Sequence, residues 1–149
     1  MKVRRILVVA ALGMALLAGC ATTEQKPMAA PEKSLYERLG GKAAITAVVD
    51  DFVGRVAADN RINSFFATTD IPRLTMNLVN QICEVSGGPC KYTGRDMKTT
   101  HHGMGITNAQ FDALVGDLVA TLDKFKVPEK EKNELLSVLG PMRKDIVER

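Results

Sequence analysis

Tryptophan is absent from the 149 residues, and aromatic side chains make up only 5% of them. So few rings argue against the stacking platforms that hold single-stranded nucleic acid. Net charge is equally thin. The formal +3 comes entirely from Lys2, Arg4 and Arg5, and the rest of the chain balances 17 basic against 17 acidic residues. There is no electrostatic footprint for DNA or RNA, so nucleic acid is not expected as a partner. Histidine occurs only twice, as the neighbours His101 and His102. That leaves no Cys/His spacing of the kind that builds a zinc site. No segment alternates apolar and polar residues for long, so strands are not expected. The apolar run Ile6–Gly19 is too short to cross a bilayer, which needs about 20 residues.

What is present is ordinary for a folded domain: 46% hydrophobic and 25% charged residues. The basic start and the short apolar run, ending in Leu17-Ala18-Gly19-Cys20, form an export signal over residues 1–19. The end resembles a bacterial lipoprotein cleavage box, which implies a lipid on Cys20. Residues 20–33 carry two prolines, several charges and one large aliphatic side chain, Met28, and read as a tether. Ala21 lacks the acidic character that often holds such lipoproteins at the inner membrane. The expectation is a periplasm-facing domain on a membrane anchor, with the outer membrane favoured.

Residues 34–149 have the size of one domain. Four apolar stripes share the 3.6-residue helical period. They run through Ile45, Val49, Phe52 and Val56; Ile71, Leu74, Leu78 and Ile82; Phe111, Leu114, Leu118 and Leu122; and Leu135, Leu139, Met142 and Ile146. Ser34 with Glu37, and Thr107 with Gln110, read as capping boxes. Asp70 with Pro72, and Pro128 with Glu129, read as helix starts. Gly40-Gly41 and Gly87-Gly88 read as stops, and Pro141 predicts a kink in the last helix. The domain is therefore all-α.

Between the second and third long stripes, Gly87–Ile106 is rich in glycine, threonine and lysine and weakly periodic. It holds both histidines. On a helix Met97, His101 and Met104 share a face, while His102 falls with Lys98 on another. His101 is the inward candidate and His102 the outward one. A lone inward histidine is an ordinary core residue on composition alone, but haem needs only one protein ligand because the porphyrin supplies four nitrogens.

The order and spacing of several short pieces are more specific. Ser34-Leu35-Tyr36-Glu37-Arg38-Leu39-Gly40-Gly41, Asp51-Phe52, Ser64-Phe65-Phe66, Gly87-Gly88-Pro89, Tyr92-Thr93-Gly94 and the run Met97 to Thr107 together resemble a group I truncated haemoglobin. The resemblance spans residues 34–148. It implies a two-over-two helical sandwich and one b-type haem per chain, with His101 as the iron ligand. With no Cys-x-x-Cys-His, that haem is expected to be non-covalent. Phe66 and Phe52 match residues that wall the porphyrin, and Met97 joins the candidate haem-binding set. Arg73, Lys91 and Lys98 are candidates to meet the propionates.

The gas side departs from the family. Many members carry a tyrosine where this chain has Val53 and a glutamine where it has Leu78, with Leu74 one turn earlier. Gln81 is the candidate replacement donor, about 20° from Leu74 on the helical wheel; facing water is the other reading of it.

Cys83 and Cys90 invite a disulfide in an exported chain. The implied ligands are oxygen, nitric oxide and carbon monoxide. Oxygen carriage, nitric oxide dioxygenation with an external reductase, and a peroxidase-like side activity are all open at this point. So are two other classes: a membrane-tethered gas or redox sensor, and a haem-free structural lipoprotein.

Overall fold

A computed structural model describes residues 32–148. The export signal, the proposed lipid site at Cys20, most of the tether and Arg149 lie outside the described residues. Among the described residues every regular element is helical. No helix there is long and apolar enough to cross a membrane.

Seven α-helices follow in order: α1 Leu35–Arg38, α2 Gly41–Ala58, α3 Ile71–Val85, α4 Met97–His101, α5 Asn108–Lys124, α6 Glu129–Leu139 and α7 Arg143–Ile146. Two short 3-10 turns, Asn63–Phe66 and Gly140–Met142, join them. Capping fixes several of the starts. Ser34 Oγ accepts from the Glu37 backbone nitrogen at 3.2 Å, and the Ser34 nitrogen donates back to Glu37 Oε2 at 2.8 Å. Thr107 and Gln110 make the same reciprocal pair at α5. Gly40 turns the chain between α1 and α2 at φ +93°, a conformation that favours glycine.

The main core joins α2, α3, α5 and α6. Ile45, Val49, Phe52, Val53 and Val56 of α2 are buried against Val79, Ile82 and Cys83 of α3, Leu118 and Leu122 of α5 and Leu135 of α6. A second, smaller cluster centres on Ile106, Phe111 and Ile146, with Met97, Met104, Val115, Met142 and Val147 packed around it. Phe65 touches both clusters. That second cluster is where α4 sits.

Ion pairs lock the outside of this frame. Arg38 of α1 holds Glu131 of α6 at 3.0 Å and also pairs with Glu134. Lys132, almost fully buried, reaches Asp123 and Glu129 at 2.6 Å each. Burial of that ammonium stands because both carboxylates meet it.

The expected kink at Pro141 is instead a break. The helix from Glu129 stops at Leu139, passes through the turn Gly140–Met142 and restarts for only four residues. Proline has no N–H to donate and its ring crowds the carbonyl four residues back, so a full helix cannot run through it.

Candidate functional site

His101 is the last residue of α4, half-buried, while His102 caps the helix and is exposed. Nδ1 of His101 lies 2.7 Å from the carbonyl oxygen of Met97. A carbonyl can only accept, so Nδ1 carries the proton. Nε2 is therefore the bare nitrogen, with its lone pair free for a metal. Among the described residues no group of three or more His, Cys, Asp or Glu could hold a metal ion. A single imidazole with Nε2 presented fits a porphyrin iron, which asks for one protein ligand.

The sequence makes α4 possible through its cap. Asp96 Oδ1 accepts from the Thr99 nitrogen at 2.8 Å, and its Oδ2 from Thr99 Oγ1 at 2.7 Å. Those bonds to the charged form lower the Asp96 pKa. The loop before it is pinned as well. Tyr92 donates its hydroxyl to the Arg95 carbonyl at 2.7 Å, and its backbone nitrogen donates to Glu84 Oε2 at 3.0 Å. Cys83 and Cys90 form a disulfide that ties this loop to the end of α3. Gly88 lies so close that a Cβ there would come within 2.7 Å of Cys83 Sγ and 2.5 Å of the Tyr36 ring.

Helix α3 meets α4 through Gln81. Leu74 and Leu78 are half-buried on one face of α3, and Val53 of α2 is buried in the main core. None of the three carries a hydrogen-bond donor. Phe52 is buried in the same core, and Phe66 is half-buried against it. Gln81 is half-buried and its amide has partners. Its Nε2 lies 3.6 Å from Met97 Sδ and 3.6 Å from Met142 Sδ, so its amide is committed to thioethers of α4 and of the turn before α7.

Arg73 and Lys98 are exposed. Lys91 is paired with Glu84 at 3.1 Å, so its charge serves the loop staple. Two further residues pack in the cluster with Met97, one from the Ser64-Phe65-Phe66 piece and one from the last apolar stripe, though the sequence offered neither as a site residue. Phe65 bridges the clusters and Met142 receives the Gln81 amide. Both sit on short 3-10 turns, where a helical period does not tell which way a side chain is aimed.

The family model described as bacterial-like globin matches residues 34–148. A group 1 truncated hemoglobin of Tetrahymena pyriformis is 36% identical over 77% of this chain and 95% of its own length. One of Mycolicibacterium paratuberculosis is 37% identical over 76% and 83%. The crystal structure of the Tetrahymena pyriformis protein in its Fe(III) form superposes with a TM-score of 0.76, covering 78% of this chain and all of that one, at 36% identity. The 2/2 hemoglobin of Synechococcus sp. PCC 7002, solved in the cyanomet state with covalently attached heme, gives 0.74 at 34% identity over 78% of this chain and all of its own.

Solved variants of the Tetrahymena pyriformis protein replace a tyrosine and, 21 and 25 residues later, two glutamines. Val53, Leu74 and Leu78 reproduce both intervals here with an aliphatic side chain at each. The chain belongs to the bacterial-like globin family, with the two-over-two helical fold of the truncated hemoglobins.

Proposed function

We propose that this globin holds one non-covalent b-type haem on His101 and reversibly binds oxygen and other diatomic gases, with weak retention of oxygen. Haem is the globin cofactor, and when bound it supplies the iron at which a gas is held. The chain's own residues do the rest. Met97 keeps the His101 ring in the tautomer that offers Nε2. Phe66, Leu74, Leu78 and Met97 give the apolar walls that exclude water. Cys83 and Cys90 are bonded to each other, so neither offers a thiol for a covalent haem link.

The weak retention follows from the gas side. Val53, Leu74 and Leu78 offer no donor, and the Gln81 amide is directed to Met97 and Met142. A hydrogen bond to polarised dioxygen is worth about 1–2 kcal/mol, or roughly tenfold in release. Carbon monoxide is less polar and gains less from such a donor. Carriage or buffering of gas suits a pocket of this kind. Nitric oxide dioxygenation would also need an external reductase.

The reading includes export and a lipid anchor at Cys20, facing the periplasm. It is supported by the residues from Lys2 to Cys20 and by a disulfide that suits an oxidising compartment. Mass analysis of the N-terminal peptide checks it, because an acylated Cys20 adds the mass of its lipid.

The observation that carries the function is the 2.7 Å contact between His101 Nδ1 and the Met97 carbonyl within a globin chain. Absorption spectra of the purified protein, oxidised, reduced and with carbon monoxide, test it. A Soret band that His101→Ala removes is the expected result. Protein that stays colourless after haemin titration would reject the reading.

A further inference from the structure

Helix α4 is five residues long. Helices that short are unstable in water on their own, since nucleation is costly and few bonds repay it. Asp96 caps the first turn and fixes where the helix begins. A cap does not by itself set how the helix is rotated about its axis. That rotation decides where the imidazole points, because His101 and Met97 are one turn apart on one face.

Gln81 is placed to set it. The residue follows Leu74 and Leu78 on the same face of α3, seven and three positions on. Its Nε2 stands 3.6 Å from Met97 Sδ, and Met97 is also the residue whose carbonyl accepts from His101 Nδ1. The same nitrogen stands 3.6 Å from Met142 Sδ, at the turn that leads into α7. α7 in turn packs on α4, with Met97, Met142 and Ile146 in one cluster. One amide thus holds α4 and the C-terminal turn to α3. Thioether sulfur is a weak acceptor, and a half-buried amide costs free energy when its protons find only weak partners. A leucine would fill this place in the stripe at similar volume and without that cost. What leucine lacks is direction.

We propose that Gln81 is a positioning residue for the His101 imidazole, acting through the Met97 side chain. The proposal rests on the haem reading above.

Gln81→Leu, Met97→Leu and the double variant test it. Each change keeps side-chain volume and removes the donor or the acceptor. Amide hydrogen exchange, read on haem-free protein, should quicken at Thr100 and His101 by about tenfold in Gln81→Leu, with α2 and α5 still protected. Met97→Leu should match it, and the double variant should add little. In haemin-loaded, reduced protein the iron–histidine stretching band should shift in Gln81→Leu. Unchanged exchange at Thr100 and His101, or an equal acceleration across all helices, would overturn the proposal. So would faster local exchange with an unmoved iron–histidine band, because Gln81 would then hold the helix without aiming the ring. Wild-type protein that takes up no haemin would sink the haem reading instead, and the exchange arm keeps that failure distinct because it is read without haem.

Discussion

Glu84 sits next to the disulfide cysteine Cys83 and accepts from the Tyr92 backbone nitrogen at 3.0 Å, two residues after the bond returns the chain at Cys90. One covalent and one ionic staple thus fasten the loop that leads to α4. The bonds from Tyr92 and then Lys91 lower the Glu84 pKa, so the carboxylate is charged over the neutral range. The Cys83→Ser/Cys90→Ser double variant should lose about 2.5 kcal/mol, the chain-entropy value for so short a loop. Thermal melts measure the loss. Mass analysis without reductant must first show no free thiol at either cysteine in the wild type. Two free thiols would remove the covalent staple from the account.

The aliphatic trio Val53, Leu74 and Leu78, on the proposed gas side, makes a gain-of-function test available. Leu78→Gln places an amide where this chain has none, on the face of α3 shared by Leu74 and Gln81. Leu78 is half-buried, so the glutamine head has room to reach a polar gas without stranding a fully buried group. Stopped-flow oxygen dissociation should slow about tenfold, the worth of one hydrogen bond. Carbon monoxide release should change much less. Equal slowing of both gases would mean that the substitution narrows the exit and donates nothing.

Much of this was legible beforehand, and the reasons for the rest are physical. The stripes through Ile45–Val56 and Phe111–Leu122 foretold α2 and α5, because long amphipathic helices write their period into sequence. Ser34, Asp70 and Thr107 marked starts, because capping is local chemistry. The direction of Gln81 was not legible. A helical wheel gives the angle at which a side chain leaves its helix and says nothing of what waits there; the thioethers come from 16 and 61 residues away. The partner of Lys91 was not legible for a similar reason. That partner, Glu84, lies seven residues back, across a loop whose shape the disulfide determines.

Two carboxylates at the junction of α2 and α5 have opposite shifts, which separates their pH signatures. Asp59 accepts from Arg61 Nε at 2.9 Å and from the Arg61 backbone nitrogen at 3.0 Å, and its pKa falls to about 2. Its contribution is complete above the ordinary carboxylate pKa of 3.8 and is lost as pH falls toward 2. Asp117 goes the other way. Burial first, then the charge on Asp59, raises its pKa, and its Oδ2 is buried without a partner. The fold therefore favours protonated Asp117 and loses that stability as pH rises past its native pKa. Asp117→Asn should raise the melting temperature at pH 7, with the gain shrinking as pH falls through the raised native pKa toward the ordinary carboxylate value of 3.8. Melts of both proteins over pH 3–8 decide it; a gain that stays constant with pH would rule out ionisation as the cause.

The cap on α4 offers the most local perturbation of the support for His101, the proposed iron ligand. Asp96 gives one oxygen to the Thr99 nitrogen and the other to its hydroxyl, and the side chain is exposed, so replacing it leaves no cavity. Loss of an N-cap aspartate costs about 1 kcal/mol of helix stability. In a five-residue helix that is a large share, because few other bonds hold the turn. The staples at Cys90 and Tyr92 act upstream of the cap and survive the change. Asp96→Ala should therefore leave the global unfolding midpoint within about 1 kcal/mol of wild type. It should also hasten haem transfer to an acceptor apoprotein about five-fold, since 1 kcal/mol is close to that factor. Asp96→Asn and Asp96→Ser retain capping oxygens and should restore most of the retention. If they failed to, charge at this position would matter more than the cap.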